Sequence, residues 1–234
     1  MSKPRVLVLD NSPRRLSTYW FGKWFRQIGC HISAYNFWQK PRPVNLDNFD
    51  ALVVSGSPAS ARQDDDWILQ EMTLIEEAGE YGMPVLGVCF GAQLLARTYY
   101  GKNAVRNCAQ PEIGWYCISQ TRQADMLFEG VPQQFFSFQF HAEEVIPQPG
   151  MEVLASSPAS QVQAFRVTDK PVWGTQFHFE VTPRAGRDLL RKTGEIIKSY
   201  GFTYQERVSQ ARPSEAAPQL FHNFLKAIPD GRSK

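Results

Sequence analysis

The chain has 234 residues, with 25 Lys and Arg against 23 Asp and Glu, so its formal net charge is only +2. Hydrophobic residues make up 43% and charged residues 21%, the mix of a globular domain large enough to fold without disulfides or a structural metal. That charge balance gives no case for binding nucleic acid or a membrane surface, and no stretch nears the ~20 apolar residues of a membrane span.

The N-terminal apolar run over 6–9 is too short for a signal-peptide core, which predicts a cytoplasmic protein. Short apolar runs then alternate with amphipathic segments. Residues 5–9 read as a buried strand, with Arg5 a solvated charge at its start, and 10–13 as a polar turn. A helix is expected over 16–28, stopped by Gly29, with Trp20, Phe21, Trp24 and Phe25 assigned mostly to core packing. Strands follow over 31–37 and 50–54, the second running into Ser55-Gly56-Ser57-Pro58. A helix over 67–81 places Ile68, Met72, Ile75 and Ala78 on one face. Before it, Asp64-Asp65-Asp66 reads as a solvated loop that also caps the helix. Gly82 and Pro84 stop it. A strand over 84–88 leads to a helix over 92–100, closed by Gly101. This alternation predicts a parallel sheet with helices on both faces.

Beyond Lys102 the rhythm changes. Strands are expected over 115–121, 134–140, 152–156, 161–167 and 171–177, separated by turn-like segments. The last can return to the main sheet. A helix over 183–200, a loosely patterned polar stretch over 201–218 and a short closing helix over 220–228 complete the chain. No repeat or linker divides it. It is therefore read as one domain over 1–234, with a core over about 5–195 and a C-terminal helical extension over about 201–234.

The four cysteines, Cys30, Cys89, Cys108 and Cys117, match no zinc or Cys-x-x-Cys spacing and are expected as free thiols. Most free cysteines are small buried hydrophobes, but the surroundings of Cys89 differ. The segment Pro84-Val85-Leu86-Gly87-Val88-Cys89-Phe90-Gly91-Ala92-Gln93 runs strand, Gly-x-Cys-x-Gly, helix. This is the thiol form of a nucleophile elbow, whose small neighbours let strand and helix approach closely. A helix N-terminus and a nearby imidazolium favour the thiolate, and the Phe90 amide would point at a developing oxyanion.

A second segment, Gly174-Thr175-Gln176-Phe177-His178-Phe179-Glu180, supplies a base and its orienter. Residues two apart in an extended segment face the same side, so His178 and Glu180 can both point at the thiol, as a Cys-His-acid triad requires. His31, His141 and His222 lack such a pairing near a plausible site. His141 comes closest and is given a structural or rim role.

Together these segments resemble the class I (triad) glutamine amidotransferase family. Glu112-Ile113-Gly114-Trp115 and the stretch 217–225 are similar to its free-standing, GMP-synthase-like branch. Phe179 stands where the family often has Pro. The resemblance implies an α/β, flavodoxin-like fold, with a mostly parallel central sheet, helices on both faces and an additional small antiparallel β region. It implies hydrolysis of glutamine, or of another γ-glutamyl compound, through a thioester on Cys89, with His178 as base and acid and Glu180 orienting it. Gly56 and Phe90 would supply the oxyanion hole, and Gln93 and Gly56 would hold the glutamyl portion. No metal or organic cofactor is implied.

Most members of the family pass ammonia to an ATP-driven synthetase. This chain has no Gly-x-x-x-x-Gly-Lys-Ser/Thr loop, so such a reaction would need a separate synthetase subunit. A stand-alone γ-glutamyl peptidase shares the same chemistry. In that reading the loops over 41–47 and 59–66 shape the leaving-group side, and Asp64-Asp65-Asp66 offers it negative charge. A catalytically silent binding or regulatory module is the third reading, against which the intact Cys89, His178 and Glu180 speak. Oligomeric state is left open.

Overall fold

The computed structural model describes residues 3–36, 38–39, 43–121 and 124–229. The N-terminal half alternates strand and helix except between its second and third strands: β1 (Arg5–Leu9), α1 (Leu16–Gln27), β2 (His31–Tyr35), β3 (Ala51–Val54), α2 (Asp66–Glu80), β4 (Val85–Val88) and α3 (Phe90–Tyr100). Four strands follow, β5 (Val105–Gln120), β6 (Gln134–Val145), β7 (Met151–Ser156) and β8 (Ala164–Val167). The next strand, β9 (Val172–Thr175), returns to pair in parallel with β4. All nine form one sheet, ordered β2-β1-β3-β4-β9-β8-β7-β5-β6. The antiparallel region is thus a continuation of the central sheet, joined to it through β8 and β9.

Strand β1 illustrates why the parallel half has a core on both faces. Val6 and Val8 pack with Phe21 and Phe25 of α1, whereas Leu7 and Leu9 face the cluster formed with α2 and α3. A strand covered by helices on both sides reads as an unbroken apolar run, which is the pattern of 5–9. The closing helix, α7 (Ala217–Lys226), docks on α1, where the Phe221 ring meets Phe25 at 5.0 Å and Trp24 at 5.3 Å. Among the described residues, no helix is long and apolar enough to cross a membrane.

Several expectations need correction. Arg5 is not simply solvated, because its guanidinium pairs with Asp50 across 3.2 Å. Asp65 is the N-cap of α2 but makes no capping bond. Asp64 instead grips Arg97 at 2.5 Å and Lys102 at 2.6 Å, so it ties the loop before α2 to α3 and the turn beyond it. Its charge is already engaged by these two cations. The helix expected over 183–200 divides into α4 (Pro183–Lys192) and α5 (Gly194–Ser199) at Thr193, whose hydroxyl bonds back to the Leu189 carbonyl. The stretch 201–218 contains α6 (Tyr204–Val208), opened by a Thr203–Glu206 capping box that the pattern Thr-x-x-Glu announces.

Strand β5 starts ten residues earlier than the sequence suggests. Its ladder with β6 slips between Asn107, opposite Glu143, and Glu112, opposite His141. Residues 108–111 bulge from it, and Pro111 sits in that bulge, where a missing N–H breaks no regular pairing. Phe37, at the end of the second expected strand, and residues 41–42 of the expected 41–47 loop lie outside the described residues.

Candidate active site

Strand β4 and helix α3 meet at Cys89, whose φ of 56° and ψ of −110° are rare for an L-residue. Both sides of the turn are tied: Cys89 N–H donates to the Thr175 carbonyl at 2.8 Å, and Gln93 N–H to the Cys89 carbonyl at 3.0 Å. The flanking glycines are a steric necessity. A Cβ on Gly87 would lie 2.5 Å from the Gly91 backbone, and one on Gly91 only 2.0 Å from the Val54 carbonyl oxygen. Strand, elbow and helix therefore approach as only glycine allows. Phe90 opens α3 two residues earlier than expected. Its ring stacks on Trp67, and its amide is one of the first-turn N–H groups that a helix leaves unpaired.

His178 arrives from the other side. Strand β9 ends two residues sooner than expected: the chain bends at Gln176 and Phe177, pairs once at His178, whose N–H donates to the Phe138 carbonyl at 2.8 Å, and turns at Phe179 and Glu180. The His178 Nδ1 lies 2.7 Å from Glu180 Oε1, and both side chains are buried. Cys89 and His178 meet at Gly56: a Cβ built there would fall 3.6 Å from Cys89 Cβ, 3.0 Å from His178 Cε1 and 3.7 Å from Nε2. Burial disfavours a charged imidazole at this point. The negative charges of Glu180 and of a Cys89 thiolate, with hydrogen bonds to both, outweigh it and push His178 up to about 10. The arrangement can thus hold a thiolate–imidazolium pair with the imidazole tautomer set by a carboxylate.

Cys89 opens into a pocket of about 640 Å³ that it shares with Ser57, Gln93, Cys108, Phe140 and His141. Gln93, one turn along α3, donates its Nε2 hydrogens to the Glu143 carbonyl and to Gln176 Oε1. The sequence-predicted residues Cys89, His178, Glu180, Gly56, Phe90 and Gln93 therefore all converge on one place. Among the described residues, no group of three or more His, Cys, Asp or Glu is placed to hold a metal ion.

The family model described as "Glutamine amidotransferase class-I" matches residues 17–195. The chain belongs to the class I glutamine amidotransferase family. It is 34% identical over 205 residues to a subunit of the glutamine-hydrolyzing GMP synthase of Thermoplasma acidophilum, covering 84% of this chain and 94% of that protein. It is 30% identical over 168 residues to the glutamine-hydrolyzing GMP synthase of Staphylococcus saprophyticus, covering 71% of this chain but 31% of that longer protein. The chain thus spans about a third of such full-length relatives. In three dimensions it is similar to a glutamine amidotransferase from Thermotoga maritima, with a TM-score of 0.83 at 20% identity, covering 99% of this chain and 100% of the other. A glutamine amidotransferase from Methylobacillus flagellatus gives 0.79 at 19% identity, covering 100% and 98%. At such identities these likenesses speak for the fold.

Two supports of this amidotransferase site escaped the sequence. Trp24 of α1 donates its Nε1–H to the Glu180 carbonyl at 3.1 Å and so grips the acid-bearing segment; the sequence offered only core packing. Glu71 lies wholly inside, and its two oxygens accept from Asn11 Nδ2 at 2.9 and 2.8 Å. Desolvation pushes its carboxyl up to about 8, against the opposing Asn11 bond. Asn11 N–H bonds the Ser55 hydroxyl, which donates to the Gly56 carbonyl, so Glu71 props the turn carrying Gly56. A signal did exist: Glu71 sits between Ile68 and Ile75 on the apolar face of α2.

Proposed function

We propose that the chain hydrolyses the side-chain amide of glutamine through a γ-glutamyl thioester on Cys89 and supplies the ammonia to a separate synthetase. The observation that carries this reading is the convergence of Cys89, His178 and Glu180 around Gly56 at the edge of the pocket. The thiolate attacks the amide carbon. The carbonyl electrons move onto oxygen, which the N–H groups of Gly56 and Phe90 stabilise; losing one such donor typically costs ~10²–10³ in rate. The imidazolium of His178 protonates the departing nitrogen, ammonia leaves and the thioester forms. Water then attacks the thioester while His178 takes its proton, releasing glutamate and restoring the thiolate. Glu180 keeps the imidazole in one tautomer throughout. Gln93, which lines the pocket beside Cys89, and Gly56 hold the glutamyl portion in this reading. None of these steps calls for a metal or an organic cofactor.

The relatives support the reading of a separate synthetase. The Thermoplasma protein named as part of a GMP synthase matches nearly its whole length, and the longer synthases match over their smaller part. An ATP-driven amination of a nucleotide by such a partner is the reading these likenesses favour. The test is to incubate the purified chain, with no partner, with L-glutamine or with γ-glutamyl peptides, following ammonium, glutamate and the mass of the protein. Glutamate release with an acyl adduct that vanishes in Cys89→Ala is expected. Turnover undiminished in Cys89→Ala would overturn the mechanism, and a strong preference for γ-glutamyl peptides would overturn the ammonia-supplying role.

A further inference from the structure

One buried carboxyl takes no direct part in the proposed reaction. Glu71 lies on the side of α2 that buries Ile68 and Ile75, and it has no exposure to solvent. Among the described residues its hydrogen bonds are the two contacts with Asn11 Nδ2, at 2.9 and 2.8 Å. Taking a carboxyl out of water is costly, and an apolar side chain of like size packs a helix as well or better. The stability of α2 therefore gives no reason for an acid at this place, whereas the work of Asn11 does.

Asn11 follows the end of β1, and its Oδ1 is buried without a partner, so the contact with Glu71 is what fixes its side-chain amide. Its backbone N–H donates to Ser55 Oγ at 2.9 Å. The Ser55 hydroxyl gives its own hydrogen to the Gly56 carbonyl at 3.1 Å, while the Ser55 N–H donates to the Leu9 carbonyl at 3.0 Å. The backbone is thus tied on both sides of Gly56. A peptide group is planar, so holding the Gly56 carbonyl also aims the Ser57 N–H across the same bond. Glycine leaves a turn free to take several conformations, and these ties decide where its N–H groups point. Neither the Gly56 nor the Ser57 N–H meets an acceptor among the described residues, and Ser57 lines the Cys89 pocket. Unpaired donors held at a fixed angle are what a developing oxyanion requires.

We infer that Glu71 is a positioning residue for the reaction: through Asn11 and Ser55 it holds the turn at Gly56 so that the backbone N–H groups of Gly56 and Ser57 face the pocket. This rests on the glutamine-hydrolysis reading above and adds the buried side chain that orients the oxyanion donors. Glu71 touches neither the substrate nor the triad, so its effect belongs to the transition state, where the charge on oxygen appears, and not to substrate binding.

The test follows turnover, thiol reactivity and backbone together. Glu71→Leu keeps much of the side chain's bulk but leaves Asn11 Nδ2 without its acceptor, which releases the turn. The kcat for glutamine is expected to fall roughly ten- to a hundredfold, part of what outright loss of an oxyanion donor costs, with KM within about twofold of the parent. Alkylation of Cys89 by iodoacetamide, which reads the thiolate alone, should keep the parent rate. In heteronuclear NMR the Gly56 and Ser57 amide signals should leave their parent positions. Glu71→Gln, whose Oε1 still accepts from Asn11, should hold kcat within about threefold and return both signals. If Glu71→Leu does not fold, Ser55→Ala cuts the last link of the relay and should give the same pattern. Parental kcat per folded molecule in Glu71→Leu overturns the inference, and so do unmoved Gly56 and Ser57 signals. A fall in kcat matched by an equal fall in alkylation overturns it too, because the effect would then run through the thiolate. A parent chain that turns over no glutamine, with both signals moved in Glu71→Leu, would sink the hydrolysis reading and leave the positioning role in place.

Discussion

Adding one methyl group at either of two glycines of the site should separate folding from function. In an open helix, Gly→Ala stabilises by roughly 1 kcal/mol. At Gly91 the new Cβ would stand 2.0 Å from the Val54 carbonyl oxygen and 2.7 Å from its carbon. Both belong to the backbone of β3, fully buried in the middle of the sheet. Relief requires the start of α3 to part from β3 by more than an ångström, which would disturb the Cys89 turn and the packing of Phe90 on Trp67. Overpacking of this kind costs roughly 1–3 kcal/mol and more where backbone cannot move. A loss of about 3 kcal/mol would lower the melting temperature by some 6–12 °C in a chain of this size. At Gly56 the obstacle is a side chain instead, His178 Cε1 at 3.0 Å. A shift of the imidazole by a few tenths of an ångström accommodates it, so stability should fall by less than about 1 kcal/mol. Activity should fall by roughly three- to tenfold, because a full ångström of misplacement costs about a hundredfold and this shift is a fraction of that. Thermal melts, glutamine turnover and the rate of Cys89 alkylation by iodoacetamide read the two effects apart. Gly91→Ala melting at or above the parent temperature, or Gly56→Ala with unchanged alkylation and turnover, would refute the steric account of the elbow.

Three further outcomes follow from the same geometry. His178 is raised from an ordinary 6.5 to about 10, so the stability gained from its charged form is complete below pH 6.5 and lost as pH climbs through 10. Glu180→Gln removes a charge that raises it, so a proton NMR titration of His178 should show a lower midpoint than in the parent; an unmoved midpoint would break the proposed pairing. Trp24→Phe leaves the Glu180 carbonyl without its indole donor and should cost about 1 kcal/mol with a fall in turnover; parental turnover would show that the grip does not matter. Glu71, raised from 4.5 to about 8, holds more protons folded than unfolded, so its contribution is full below pH 4.5 and declines as pH rises through 8. Glu71→Gln should therefore flatten this part of the stability profile in urea titrations, whereas Glu71→Leu, by orphaning Asn11, should cost roughly 1–3 kcal/mol. Identical profiles in Glu71→Gln and the parent would refute the buried-acid assignment.

Much of the site was legible because it is local. The Gly87-x-Cys89-x-Gly91 turn is a steric pattern spanning five residues, and His178 and Glu180 stand only two residues apart, although a turn at 179–180 and not an extended chain brings their side chains together. The parallel half was readable from unbroken apolar strands and one-sided helices, whereas the break at Thr193 is marked only by Gly194, whose cost of about 1 kcal/mol a helix interior tolerates where a proline would stop it. Other features depend on neighbours far along the chain. Asp64 looks like a capping acid until Arg97 and Lys102 are brought beside it. His141 looks idle until the slip between Asn107 and Glu112 sets it against Glu112.

The sequence by itself determined the strand and helix types of the sheet's parallel half and the elbow, and it singled out the three side chains proposed to react, since each follows from patterns within a few residues. Tertiary structure alone decided that β9, after a long antiparallel excursion, lies beside β4 and so carries His178 to Cys89. It also decided which polar side chains are buried behind them. Strand order and burial come from the sum of many weak contacts between distant segments, which no short stretch of sequence contains.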